Sequence, residues 1–94
     1  MDKIKFKRMI EILRSYGAKE ITLFGSYARG DNRPDSDVDV IVEFDETKSL
    51  IILCRIIRVI KEELGIKIDL VTKNAVSQRL LPYIQKDMKV IYPS

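Results

Sequence analysis

Asp37-Val38-Asp39-Val40-Ile41-Val42-Glu43-Phe44 alternates without a break, and this run decides the fold. Val38, Val40, Val42 and Phe44 share one face of a strand, and Asp37, Asp39, Ile41 and Glu43 share the other. Upstream, Glu20–Phe24 is short, β-branched and aromatic, and reads as an earlier strand that stops at Gly25-Ser26. Tyr27-Ala28-Arg29-Gly30 reads as a short helix ended by glycine, and 31–35 as a loop by composition. Downstream, Lys48–Leu64 is a helix closed by Gly65, and Ile66–Thr72 is a third strand. The spacing predicts a further helix over 75–87, interrupted by Pro82, and a short last strand at Lys89–Tyr92. A first helix over about 3–16 precedes all of these, with Ile4, Arg8 or Met9, Ile12 and Leu13 toward one side and Gly17 as its C-cap. Helices and strands alternate, so the expected class is α/β (α+β), one domain over 1–94. The short link between the first two strands favours antiparallel pairing, so the sheet is expected to be mixed, with three to four strands and flanking helices.

Composition agrees with one small core. The chain has 94 residues, 46% hydrophobic and 33% charged, with 4 Gly and 3 Pro, which excludes disordered, collagenous and low-complexity classes. A single cysteine excludes an internal disulfide and a thiolate zinc site. The absence of histidine removes Ser-His-Asp and Cys-His catalysis and histidine-bound metals. Catalysis must therefore use carboxylates, cations, hydroxyls and main-chain groups. The N-terminus lacks signal-peptide features and the longest apolar run, Leu50–Cys54, is too short for a bilayer. A cytoplasmic, reducing setting with no membrane partner is the expectation.

Asp37 and Asp39 leave the same face of a strand, with β-carbons roughly 6–7 Å apart. Two unpaired carboxylates at that distance repel, and cations relieve them. With only hard oxygen donors nearby, the natural ion is Mg²⁺, bound by one or two carboxylates together with substrate phosphates. Two ions about 4 Å apart can hold the attacking and leaving oxygens of a phosphoryl or nucleotidyl transfer. Asp69 sits between Ile68 and Leu70 on the third strand; beside the Asp37 strand it would complete a metal shell or take a proton from an attacking hydroxyl. Gly25-Ser26 lies at a strand-to-helix junction, where glycine permits close approach and free N–H groups favour an anion. Each feature alone has a plainer reading: a turn with an N-cap, a solvated sheet face, or a partner for Lys67. Their ordered co-occurrence points to a phosphate seat beside a metal seat, as a nucleoside triphosphate requires.

Gly25-Ser26-Tyr27-Ala28-Arg29-Gly30 followed by Ser36-Asp37-Val38-Asp39 resembles the signature of the DNA polymerase β-like nucleotidyltransferase superfamily, and the size resembles its minimal nucleotidyltransferase (MNT) branch. The resemblance implies that Asp37 and Asp39 hold two Mg²⁺ ions. It implies that Asp69 joins one metal and helps activate the acceptor, and that Gly25 and Ser26 contact the β- and γ-phosphates of ATP. Arg29 and Ser36 also match the motif. Arg29 is expected to pair with Asp35 or Asp37 or to touch phosphate, and Tyr27 to pack. MNT proteins are typically paired with HEPN-domain proteins. The resemblance therefore implies AMP transfer to a hydroxyl, that of a tyrosine, on a HEPN toxin, with this chain as a type VII-like antitoxin. The alternatives are neutralisation by binding alone, or transfer to RNA or a small molecule.

The acceptor site has no obvious place in so short a chain, so a partner chain or a second copy is expected to supply it. In the helix Lys48–Leu64 the apolar residues span roughly 220° of arc, more than the ~100° that one sheet face covers. Ile52, Ile56 and Val59 lie toward the excess edge, to be covered by a terminal helix or by another protein. Cys54 is expected to be a buried small hydrophobe. Lys3, Lys5, Lys7 and Arg8 read as a solvated face rather than an RNA track, and no nucleic-acid partner is expected.

Overall fold

A computed structural model describes residues 3–30, 37–75 and 88–93. The order is α1 (Lys3–Ser15), β1 (Ala18–Phe24), α2 (Gly25–Arg29), β2 (Val38–Phe44), α3 (Leu50–Leu64), β3 (Ile68–Thr72), a 3-10 turn (Lys73–Ala75) and β4 (Lys89–Tyr92). The strands form one mixed sheet in the order β3-β2-β1-β4. β1 is antiparallel to both β2 and β4, and β2 is parallel to β3 through the α3 crossover. The expected antiparallel pairing of the first two strands and the mixed sheet are present, in a small α+β domain. The helix expected over 75–87 falls almost wholly outside the described residues, as do the loop at 31–35 and Ser36. Among the described residues no helix is long and apolar enough to cross a membrane.

The valine face of β2 makes the core. Val38, Val40 and Val42 are fully buried and meet Ile21 and Leu23 of β1, with Met9, Ile12 and Leu13 of α1 and Ile56 and Ile60 of α3 packed over them. Antiparallel register sets Leu23 opposite Val40 and Ile21 opposite Val42, so one apolar stripe crosses the sheet. The opposite face is less polar than the alternation suggests. Thr22 and Ile41, cross-strand partners on the Asp39 side, are 2% and 5% exposed.

Two side chains of α1 depart from the expected apolar side. Ile4 is 82% exposed. Arg8 points out to bond Glu63 of α3 at 2.8 Å and Glu11 at 3.2 Å. That pair joins α1 to the C-terminal end of α3. Ile52, Ile56 and Val59 are not bare: Ile56 is fully buried, and Ile52 and Val59 pack against the core. The uncovered edge of α3 lies elsewhere, at its N-terminal end, where Leu50 and Ile51 are 75% and 74% exposed. Cys54 is exposed with them, contrary to the expectation of a buried hydrophobe. A helical wheel gives the angle between side chains, but the landing point of α1 decides which edge stays bare.

Both ends of α3 are capped as its sequence suggests. The Ser49 hydroxyl accepts from the Ile52 N–H at 3.3 Å. Gly65 closes the helix at φ +68° and donates to the Lys61 carbonyl at 2.8 Å. Ser49→Ala leaves that N–H to water and should cost about 1 kcal/mol. In a domain this small that is a fall of about 4–8 °C in melting temperature. An unchanged melting curve would show that the cap is not formed in solution.

Candidate active site

β2 and β3 bring two of the three expected carboxylates face to face. The parallel register sets Asp39 directly opposite Asp69, held at its entrance by the Val38 N–H donating to the Lys67 carbonyl at 2.9 Å. Adjacent strands stand about 4.8 Å apart, so the two carboxyl groups share one small volume. Ile68 is buried while Asp69 is exposed, which is the alternation that turns Asp69 toward Asp39 rather than into the core. Asp37 lies just before β2 and is exposed.

β1 delivers the third side of the site. Phe24 is the cross-strand partner of Asp39, and Gly25 follows it at φ +72°. A methyl group on Gly25 would overlap the Asp39 carboxylate and lie 3.1 Å from its Cγ. Gly25 is therefore required twice, for its left-handed backbone and for the space that the carboxylate fills. Of the other expected site residues, Arg29 ends α2, exposed, and Ser26 lies in the first turn of that helix. The side chain of Ser26, and Ser36 and Asp35 altogether, lie outside the described residues.

The electrostatics follow from this placement. Asp39 is pushed above the ordinary carboxylate range, first by burial, then by the charges of Asp69 and Asp37 and a hydrogen bond with the Asp69 carboxyl group. The Arg29 guanidinium opposes the rise. Arg29 thus acts on Asp39 through its charge, and the expected partner Asp35 lies outside the described residues. At the other end of the same face the acidity is already balanced. Glu20 and Glu43 are cross-strand neighbours, and Lys73 bridges them at 3.7 and 3.3 Å, which relieves like charges set side by side. The three groups come from three separate elements, so no local motif announces them. At Asp37, Asp39 and Asp69 three carboxyl groups gather, and the Arg29 guanidinium offsets part of their charge at Asp39.

These residues fit a hard divalent cation. Among the described residues no three acidic or thiol side chains gather tightly enough to form a closed metal cage. Mg²⁺ does not need one, because it keeps waters and phosphate oxygens beside one or two carboxylates. Two facing carboxylates, one of them strained by the other's charge, with exposed groups at the rim, supply that donor set.

The sign of the pH dependence is set by the raised Asp39. Its proton binds more tightly in the folded chain than in the unfolded one, so its ionisation opposes folding. That penalty is complete above the raised folded pKa and absent below the ordinary carboxylate value. Metal-free protein should therefore melt at a lower temperature than Asp39→Asn at neutral pH, and the gap should close as pH falls through that window. A gap that widens on acidification would mean that Asp39 is stabilised by its surroundings.

Comparison with known proteins adds one family match, two relatives and two solved structures. A family model described as the nucleotidyltransferase domain matches residues 6–92. Protein adenylyltransferase MntA of Thermococcus cleftensis is 33% identical, over 83% of this chain and 79% of that protein. MJ0435 of Methanocaldococcus jannaschii, whose name carries protein adenylyltransferase as a provisional assignment, is 41% identical over 74% of this chain and 75% of its own. Among solved structures, a chain from a toxin-antitoxin crystal structure with AMP-PNP superposes with a TM-score of 0.81 at 25% identity, covering 100% of this chain and 75% of that one. A chain from the complex of a tri-AMPylated Shewanella oneidensis HEPN toxin with its MNT antitoxin shares the fold, with a TM-score of 0.77 at 23% identity, over 100% of this chain and 74% of that one.

Proposed function

Because this chain belongs to the nucleotidyltransferase domain family, we propose that it transfers AMP from ATP to a hydroxyl, of tyrosine, on a HEPN-type toxin and so acts as the antitoxin. The single observation that carries the reading is the register that seats Asp39 against Asp69, with Gly25 closed against the Asp39 carboxylate. The relative named protein adenylyltransferase MntA and the toxin-antitoxin complexes of the same fold support the choice of AMP and of a protein acceptor.

Each residue has a task in this scheme. Asp37, Asp39 and Asp69 would hold Mg²⁺, two ions in the full reading. Bound there, the metal supplies Lewis-acid stabilisation of the charge that grows on the phosphate oxygens. The Gly25-Ser26 turn, at the head of α2, receives the β- and γ-phosphates, and by the motif match Arg29 and Ser36 are assigned to the same nucleotide. Asp69, exposed at the rim, accepts the proton of the acceptor hydroxyl. The hydroxyl oxygen bonds to the α-phosphorus while the bond to the bridging oxygen breaks, and pyrophosphate leaves with that electron pair. Asp39, partly buried and fixed by strands on both sides, keeps the donor geometry constant through the step.

Intact-mass spectrometry tests this directly. The chain is mixed with the protein product of its neighbouring gene and Mg-ATP, and the Asp37→Asn/Asp39→Asn double variant serves as control. An AMP-sized gain on the partner, absent with the variant, is the expected result. No gain despite a stable complex would replace transfer by neutralisation through binding alone. A gain on RNA or a small molecule instead would move the acceptor.

A further inference from the structure

The side chain of Lys67 has no task in the catalytic reading. Lys67 stands just before β3, exposed, between Ile66 and Ile68, which are both buried. Alternation therefore turns it to the face of Asp69, two residues on and roughly 6–7 Å away along the chain. The Val38 N–H donates to the Lys67 carbonyl, one residue before the Val38–Ile68 pair, so Lys67 lies level with Asp37. The plain reading of Asp69 as an ion-pair partner for Lys67 is not met. Among the described residues Lys67 has no ion pair, whereas Lys73 is held by Glu20 and Glu43, and Lys48 by Asp45 and Glu46.

The strand order decides which substrate Lys67 meets. Along β3-β2-β1, Gly25 closes against Asp39 from the β1 side, and Asp69 faces Asp39 from the β3 side. The phosphate seat and the proton acceptor of the transfer reading therefore flank Asp39, about 10 Å apart across two strand spacings. An in-line displacement has its leaving group and its attacking oxygen on opposite sides of the phosphorus. With pyrophosphate on the Gly25 side, the acceptor oxygen enters on the β3 side, and β3 is an edge strand of the described sheet. Arg29 follows Gly25-Ser26 in α2 and belongs to the phosphate side. Lys67 is a cation at the other end of that line.

We propose that Lys67 is a catalytic residue of the acceptor side, whose ammonium contacts the attacking hydroxyl oxygen beside Asp69. The inference rests on the transfer reading and deepens it. As the hydroxyl proton passes to the Asp69 carboxylate, negative charge grows on an oxygen set among carboxyl groups, which repel it. A cation beside that oxygen offsets the repulsion where the charge develops, and so lowers the barrier without tightening the hold on nucleotide. The oxygen then bonds to the α-phosphorus, and pyrophosphate departs with the electron pair of the broken bond. Lys67 neither gives nor takes a proton; it acts by charge. Its flexible four-carbon stem spans the two-residue step to Asp69.

A footprint and a kinetic split test it. The full-length chain is labelled with an amine-reactive ester, and Lys67 is read by peptide mass spectrometry against the other lysines. Labelling is compared for the chain alone, with Mg²⁺ and α,β-methylene-ATP, and with that analogue plus the protein product of the neighbouring gene. Lys67 should be protected several-fold only when the protein partner is present. Lys67→Met should lower AMP transfer about 10²-fold and leave the affinity for the analogue unchanged, with circular dichroism showing the variant folded. Lys67→Arg, which keeps the charge, should restore much of the rate. Protection by the analogue alone, or a loss of analogue affinity in Lys67→Met, would make Lys67 a phosphate ligand and overturn the proposal. Labelling that the partner leaves unchanged overturns it too, as does undiminished transfer by Lys67→Met or a Lys67→Arg variant no faster than Lys67→Met. No transfer by the unaltered chain sinks the transfer reading itself, and this inference with it.

Discussion

Asp39→Asn is expected to lower the transfer rate by about 10²–10³-fold, or about 3–4 kcal/mol of barrier, the loss typical of removing one preorganised electrostatic group. The same change is expected to raise the melting temperature of the metal-free protein. Both effects come from one cause. The Asp39 carboxylate is partly buried and faces Asp69 across the β2–β3 register, with Asp37 near it. Its charge is costly to the fold and necessary to the site. Asparagine keeps the shape and removes the charge, so stability and activity should move in opposite directions, as is common where a binding site stores repulsion. Steady-state AMP transfer and thermal melting on the same preparation decide it. A variant that loses stability together with activity would show that the carboxylate is held by favourable contacts, and the repulsion argument would fall.

Gly25→Ala is the second large effect. Alanine in the left-handed region costs about 1–2 kcal/mol, and here its methyl also displaces the Asp39 carboxylate. Moving a reacting group by about 1 Å costs about 10²-fold in rate, so the activity loss should exceed what the stability loss accounts for. Gly65→Ala is the matched control. Gly65 has nearly the same φ, +68°, but nothing within 4 Å of an added methyl, so it should lose similar backbone stability and keep its activity per folded molecule. Equal activity in the two variants would mean that space at Gly25 does not shape the site.

Much of the fold can be read from local pattern. The uninterrupted alternation from Asp37 to Phe44 gives β2 within one residue, and the caps at Ser49 and Gly65 bound α3. Asp69 is legible as a strand residue turned away from its apolar neighbours, but its exact pairing with Asp39 is not, because register is a property of two segments. The burial of Asp39 and the missing room at Gly25 are likewise hidden, since they arise only when β1 folds across β2. Leu50, Ile51 and Cys54 show the limit of the helical wheel: which edge of α3 is bare depends on the landing of α1, fixed by long-range packing and the Arg8–Glu63 pair. The Lys73 bridge over Glu20 and Glu43 escapes for the same reason.

The central position of β2 has one more consequence, in time rather than in space. Its amides are hydrogen-bonded to β1 on one side and β3 on the other, so they exchange with solvent only when the whole sheet opens. Asp39 rides on that slow segment, while Asp37, one residue outside it, and the cap of α3 belong to parts that can open alone. The Asp39 carboxylate is thus fixed for as long as the molecule stays folded, whereas the Asp37 carboxylate can shift without any opening of the sheet.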